Sequence, residues 1–134
     1  MLEVFKALFS SNDARPSLIT EATNQFLEML DLGHELLEKV IPHLMEKDVS
    51  SELIAEVRTI DKSTNKLERE VRKLLVEHLA FDKQEAPTCL ILMSVVKDAE
   101  RLVDECRNLL DLAELLEEPL PEKYMKSITE NTIA

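Results

Sequence analysis

Apolar residues recur at steps of three and four along three long stretches of this chain of 134 residues. That spacing places them on one face of an α-helix, and no stretch shows the alternation of a β-strand. We expect helices near residues 17–47, 51–80 and 88–117, each boundary to within a few residues. Short connections make sequential helices antiparallel. The sequence therefore predicts an all-α fold, an up-down-up three-helix bundle with a short N-terminal helix.

Helix-boundary residues support this pattern. Pro16-Ser17 opens the first segment, and Ser50 offers an N-cap to the second. Pro87 suits the first turn of the third segment, where its missing N–H removes no helical hydrogen bond. Pro42, by contrast, lies inside the first segment, and it predicts a kink or an early break there.

The pattern divides the chain into three parts. Residues 1–15 include the amphipathic stretch LEVFKALF and are expected to form a short N-terminal helix. Residues 16–118 are expected to form the bundle. Residues 119–134 form a polar C-terminal tail, whose weak pattern predicts at most two helical turns.

Charge and glycine content disfavour several classes of function. The formal net charge of −11 argues against nucleic acid and anionic membrane surfaces as partners, because both repel an acidic protein. Gly33 is the single glycine, so the sequence lacks the glycine-rich turns that bind nucleotide phosphates in Rossmann and P-loop proteins. No apolar run approaches the roughly 20 residues of a membrane span, and no membrane insertion is expected.

The two cysteines, Cys89 and Cys106, fall at core positions of the third segment. Buried free thiols are expected there rather than a disulfide or a metal pair, and free thiols are typical of a reducing compartment. The N-terminus also lacks the basic start and the cleavage site of a signal peptide. We therefore expect a cytoplasmic protein.

Carboxylates border the apolar stripe on two of the segments. On a helical wheel of about 100° per residue, they fall beside the stripe and not opposite it. Packing of antiparallel neighbours could bring the two rows together, and carboxylates roughly 6 Å apart could share a hard cation. The alternative is a solvated face with ion pairs inside each helix. The rows are Asp61, Asn65, Glu68 and Arg72 on the second segment, and Glu100, Asp104, Arg107 and Asp111 on the third.

Both rows resemble motifs of a known family. Glu100-Arg101-Leu102-Val103-Asp104 resembles the E-R-I-G-D element of PhoU-domain proteins, an instance of their E(D)xxxD pattern. The stretch DKSTNKLE, from Asp61 to Glu68, is similar to the D-x-x-x-N-x-x-E stretch of the same repeat. The resemblance covers residues 16–116, one three-helix unit where full-length relatives carry two. Val103 stands where the family has glycine, and Asn65 is a weaker ligand than aspartate.

The resemblance implies a regulator and not an enzyme. In that family the motif residues bind metal ions, in some members clusters of iron or zinc. The proteins restrain phosphate uptake and phosphate-responsive signalling. For this chain it implies an intracellular adaptor in phosphate homeostasis, whose partners are phosphate transporter or sensor-kinase components. The metal-binding residues that it implies, for a divalent or ferric ion such as iron, zinc or magnesium, are Asp61, Asn65, Glu68, Glu100 and Asp104.

The sequence carries no recognised catalytic pattern. Its three histidines lack the spacing of a zinc protease or of a di-iron bundle. Cys106 lies on the apolar stripe without a nearby histidine, which disfavours a catalytic thiol. The main alternative to the adaptor is a structural helical interaction module whose acids only solvate its surface. A metal-dependent enzyme ranks third.

One apolar segment predicts self-association. The stretch CLILMSVV, residues 89–96, is apolar on every side, so Leu90, Ile91 and Met93 would be exposed in an isolated monomer. A symmetric homodimer would bury them. In a competing arrangement, residues 2–9 fold back over this surface with Phe5 and Phe9 as anchors.

Overall fold

The structure is a computed structural model that describes residues 17–46, 49–116, 118 and 121–133. Its three long helices each pack against the other two, and the described residues contain no β-strand. The predicted all-α bundle is confirmed, with helix ends within about two residues of those expected. The elements are α1 (Leu18–Glu46), α2 (Ser51–Phe81), a 3-10 turn (Lys83–Glu85), α3 (Ala86–Leu115) and α4 (Glu122–Ile133).

Two buried clusters establish the chain directions. The first joins the start of α1, the end of α2 and the start of α3, and the second joins their opposite ends. Only helices that alternate in direction bring those ends together, so the up-down-up order is confirmed. The first cluster includes Phe26, Met29, Val71, Leu75, Leu92 and Val96. The second includes Leu36, Val40, Leu53, Val57, Val103, Cys106 and Leu110.

Capping side chains set the limits of α2. The Leu53 N–H donates to Ser50 Oγ at 3.1 Å, which confirms the predicted N-cap. At the other end, the Asp82 N–H donates to the His78 carbonyl at 2.9 Å. Asp82 Oδ1 then accepts from the Gln84 N–H at 2.9 Å and opens the 3-10 turn. These bonds define residues 78–85 as the hairpin turn between α2 and α3.

The single glycine lies at a close approach of two helices. A Cβ atom added to Gly33 would lie 2.9 Å from Leu102 Cδ2 and 3.7 Å from Val103 Cγ2. A larger side chain at this position would therefore push α1 away from α3. Val103, which stands where related motifs have glycine, is itself fully buried in the second cluster.

One helix end agrees with its expected position and another does not. Helix α1 continues through Pro42 to Glu46, close to the end expected near residue 47, so Pro42 causes no early break. Burial of Ile41 and Leu44 on either side of Pro42 offsets the hydrogen bond that proline cannot make. The tail exceeds two turns, because α4 has 12 residues. Ile128 of α4 packs against the buried pair of Leu44 and Ala113, which supplies apolar burial that a polar tail pattern does not predict.

The predicted helix at residues 1–15 lies outside the described residues. Among the helices that the structure does describe, none combines the length and the apolar content that crossing a membrane requires.

Candidate functional site

Packing of α2 against α3 brings the two predicted polar rows together. We call this surface the polar seam, formed by Asp61, Asn65, Glu68, Glu100 and Asp104. Because the helices are antiparallel, Asp61 lies near the Asp104 end of α3 and Glu68 lies near the Glu100 end. Each end of the polar seam therefore holds one carboxylate from each helix.

Arg107 bridges the two aspartates at one end of the polar seam. Its Nη1 donates to Asp61 Oδ2 at 2.9 Å and lies 3.5 Å from Asp104 Oδ1. The Asp61 side chain is only 14% exposed, so this pair is partly shielded from water. The charge of Asp61 raises the pKa of the Arg107 guanidinium, and Asp104 adds to that effect against the opposing effect of burial. One basic side chain thus holds two acids from different helices.

Lys97 has the same role at the other end. Its Nζ lies 2.6 Å from Glu100 Oε2 and 3.9 Å from Glu68 Oε2, while Arg72 Nη2 lies 3.1 Å from Glu68 Oε1. Both glutamates are buried, at 9% exposure for Glu68 and 4% for Glu100. The hydrogen bond to Glu100 is the main cause that raises the pKa of Lys97. A buried carboxylate needs such partners because it has lost its hydration.

Asn65 lies between the two ends. Its Nδ2 donates to the Asp61 carbonyl at 2.8 Å and makes a longer contact of 3.3 Å with Asp61 Oδ1. Since Nδ2 is committed to α2 itself, Oδ1 is the atom of the Asn65 amide that can serve as a ligand. The predicted ligands are thus brought to one surface, in two pairs with Asn65 between them.

The donor types of the polar seam suit a hard cation, but its carboxylates do not converge on one point. Among the residues that the structure describes, only His78, Asp82 and Glu85 form a group of three such side chains with ligand atoms all within 4.8 Å of one another. Carboxylate and amide oxygens are the ligands that magnesium, manganese and ferric ions prefer. Each carboxylate pair is, however, already bridged by a basic side chain, Arg107 or Lys97. A metal ion at the polar seam would therefore take the place of at least one of them.

A second group of potential ligands lies at the hairpin turn. Ligand atoms of His78, Asp82 and Glu85 all lie within 4.8 Å of one another. His78 Nε2 is 2.5 Å from Glu85 Oε2. The sequence interpretation missed this group because its spacing, H-x-x-x-D-x-x-E, crosses the end of α2. The available signal was a histidine followed by two acids at a predicted helix boundary.

The cysteines occupy the predicted core positions as free, fully buried thiols. Burial raises the pKa of the Cys106 thiol to about 11. Burial also raises the pKa of Cys89, and the negative charges of Glu85 and Asp82 add to that shift. A thiol that stays protonated near neutral pH is a poor nucleophile, so both side chains contribute to packing.

The predicted interface residues divide into two kinds. Leu90 and Ile91 are 62% and 57% exposed on the first turns of α3, as expected for an isolated chain. Met93 was expected to be exposed, but it is partly buried against the first cluster. It lies four residues after Cys89 and three before Val96, so it borders the buried face of the helix.

Comparison with known proteins gives one match. The family model described as the PhoU domain matches residues 26–113, which include the polar seam and most of the three helices of the bundle. No curated protein and no solved structure matches the chain. The PhoU family is regulatory and non-catalytic, and it acts through protein interactions in phosphate regulation. This chain belongs to the PhoU domain family.

Proposed function

We propose that the protein is a regulatory adaptor in phosphate homeostasis. It restrains phosphate uptake or phosphate-responsive signalling through contacts with a phosphate transporter or a sensor kinase. The observation that carries this proposal is the family match over residues 26–113, which coincides with the bundle and contains both halves of the polar seam. Family membership supports a phosphate-regulatory role in general, and the transporter and the sensor kinase are the partners that we propose for it.

A pull-down tests the proposed partners. Extracts of the protein's own cells, grown with abundant phosphate and starved of it, are passed over the immobilised chain. We expect capture of transporter or sensor-kinase components, in amounts that change with phosphate supply. A matched bait carries Glu100→Ala and Asp104→Ala and should capture less. Equal capture by both baits would show that partner binding does not depend on the polar seam.

We further propose that the polar seam holds a divalent or ferric ion. Each end of the polar seam offers one carboxylate from each helix, and Asn65 adds an amide oxygen between the two ends. An ion at either pair would take the place of Arg107 or Lys97 as the partner of the carboxylates, which would change the charge pattern of the α2–α3 surface. That change offers a partner protein a way to distinguish two states of the adaptor.

Metal content of protein purified without chelators tests this site, followed by titration with iron, zinc, magnesium and manganese. The variant with Glu100→Ala and Asp104→Ala should lose the bound metal and keep its helix content. A matched control with Asp98→Ala and Glu105→Ala removes two exposed acids of the same helix and should retain it. A parent protein that binds none of the four ions contradicts the metal proposal.

A second candidate function is a helical interaction module without a metal. The observation that favours it is the bridging of each carboxylate pair by Arg107 or Lys97, because a carboxylate with a basic partner does not require an ion. It predicts a protein that binds no metal and yet captures the same partners. The metal titration and the pull-down together separate the two candidates.

We also propose that the protein is a homodimer that buries Leu90 and Ile91. Their exposure on adjacent positions of α3 supports this, because burial of such side chains favours association by about 25 cal/mol per Å² before the entropic costs. Sedimentation should give a dimer that Leu90→Glu weakens. The control Leu115→Glu changes a side chain of 79% exposure at the far end of α3 and should leave the dimer intact. A monomer at micromolar concentration contradicts this proposal.

A further inference from the structure

We propose that the hairpin turn binds one divalent ion of the zinc class through His78, Asp82 and Glu85. This site is separate from the polar seam. The polar seam begins ten residues before His78 on α2 and fifteen residues after Glu85 on α3, and it offers only oxygen donors. It does not depend on the proposed role in phosphate homeostasis. The three ligands come from eight consecutive residues, so one short segment of the chain encloses the ion.

The distances suit a shared ion. The three ligand atoms lie within 4.8 Å of one another. Zinc binds nitrogen and oxygen ligands at about 2.0–2.2 Å, so two ligands of one tetrahedral ion are roughly 3.5 Å apart. The ligand atoms of His78 and Glu85, now 2.5 Å apart, would have to separate slightly, and any pair near the 4.8 Å limit would have to approach. We expect rotations of the exposed Asp82 and Glu85 side chains to supply both changes.

His78 is already held in position for this role. Its side chain is only 13% exposed on the last turn of α2, and its Nε2 lies 2.5 Å from Glu85 Oε2. An imidazole nitrogen and a carboxylate oxygen are both groups that bind zinc when deprotonated, and here they already lie side by side. Glu85 is 45% exposed, so it can shift outward by the small distance that an ion requires.

The backbone around the ligands is preorganised. The Asp82 N–H donates to the His78 carbonyl, and Asp82 Oδ1 accepts from the Gln84 N–H, both at 2.9 Å. The second carboxylate oxygen of Asp82 is therefore the one available to a metal ion. Helices α2 and α3 anchor both ends of the turn, which reduces the entropy lost when the ion binds.

The local charge favours a cation and the donor set selects its class. The negative dipole end of α2 and the positive dipole end of α3, whose N-cap is Glu85, both lie at this turn and oppose each other. The attraction for a cation therefore comes from the two formal negative charges of Asp82 and Glu85. One imidazole nitrogen with two carboxylates suits zinc and similar transition ions, whereas magnesium and calcium prefer oxygen donors alone. Three protein ligands leave a fourth position for water.

Zinc titration of the chelator-stripped full chain tests the site, with heat of binding and bound zinc per chain as the measurements. We expect each parent chain to bind one more zinc ion than a chain of His78→Gln or Glu85→Gln. If a variant still binds that ion, its dissociation constant should be at least about tenfold higher than that of the parent. Because Glu85 is exposed, Glu85→Gln is expected to keep the fold, and circular dichroism checks this for both variants. The matched control His34→Gln changes a histidine of 73% exposure beside Glu38 and should bind zinc as the parent does.

Two results would overturn the inference. The first is a parent chain that binds no zinc at micromolar concentration. The second is zinc binding that persists unchanged in both His78→Gln and Glu85→Gln. If that zinc is lost when Glu100 and Asp104 become alanine, it is bound at the polar seam.

Discussion

Asp61 on α2 and Arg107 on α3 are joined by a hydrogen bond of 2.9 Å between Oδ2 and Nη1. The contact closes the α2–α3 interface at one end of the polar seam, and Asp104 shares the same guanidinium. Cys106 and Leu110, one residue before and three residues after Arg107 on α3, belong to the second buried cluster. The polar seam is thus both part of the packing and the candidate site.

Loss of Arg107 should destabilise the bundle modestly. Arg107→Met leaves Asp61 and Asp104 without their shared cation. We expect the free energy of unfolding to fall by about 1 kcal/mol, a value near the top of the range for exposed ion pairs because Arg107 is 38% exposed and Asp61 only 14%. Urea unfolding measures it. Lys66→Met, which removes a mostly exposed partner of Glu70, should leave the urea midpoint unchanged. Equal effects of the two substitutions would contradict the structural role of Arg107.

Gly33 should tolerate alanine but not a large side chain. In Gly33→Ala, the gain in helix propensity of about 1 kcal/mol is offset by displacement of the Leu102 side chain, whose Cδ2 lies 2.9 Å from the new Cβ. The net change should be within about 1 kcal/mol. Gly33→Leu should cost about 1–3 kcal/mol, because it forces α1 from α3. Thermal unfolding compares them, and a leucine variant as stable as the alanine variant would show that the helices do not approach as described.

The first buried cluster should be sensitive to cavities. Leu75 is fully buried, and Leu75→Ala is expected to lower the free energy of unfolding by about 2–5 kcal/mol. The adjacent Val76 is 59% exposed, and Val76→Ala should change the free energy of unfolding by less than about 0.5 kcal/mol. Urea denaturation of the two variants gives both values. A Leu75→Ala variant as stable as Val76→Ala would place Leu75 outside the core.

Burial of Cys106 should make the fold less stable at alkaline pH. The pKa of this thiol is about 11 in the folded chain against an ordinary value of 9.0, so between these values the folded state binds more protons than the unfolded state. The contribution of the buried thiol to the free energy of unfolding is therefore fully present below about pH 9. It is lost as pH rises toward 11, which lowers the free energy of unfolding by up to about 2 kcal/mol. Urea midpoints across this range measure the slope.

Cys106→Ala provides the control for that slope. Its midpoint should fall less steeply between pH 9 and pH 11, whatever its stability at neutral pH. Cys89 and Lys97, whose pKa values are raised from 9.0 and 10.5, add losses above those values in both proteins, so only the difference between the two slopes reports on Cys106. Identical slopes with and without the thiol would show that Cys106 titrates normally.

The apolar stripes and the Ser50 cap were sufficient to predict the helices, their order and the meeting of the two polar rows. Side-chain period determines which face of a helix is buried, and short connections determine direction. The depth of Glu68 and Glu100 could not be predicted, because a wheel angle gives a direction on one helix and no distance to its neighbour. The bridging role of Lys97 was missed for the same reason.

The ligand group at the hairpin turn could not be predicted from which residues share a helical face. His78 belongs to α2, whereas Asp82 and Glu85 belong to the turn, and their approach depends on how Asp82 ends one helix and opens the next. Met93 illustrates a smaller error of the same kind. Its wheel position borders the stripe, and only the packing of the neighbouring helices determines that it is partly buried.

The rate of phosphate uptake by phosphate-replete cells tests the central claim most directly. It is measured in cells that lack this gene, in cells complemented with the parent chain, and in cells complemented with the variant carrying Glu100→Ala and Asp104→Ala. We expect that deletion raises uptake, that the parent restores restraint, and that the polar-seam variant, expressed at the same level, does not. Uptake that is unchanged by deletion, or restored equally by parent and variant, would contradict the central claim.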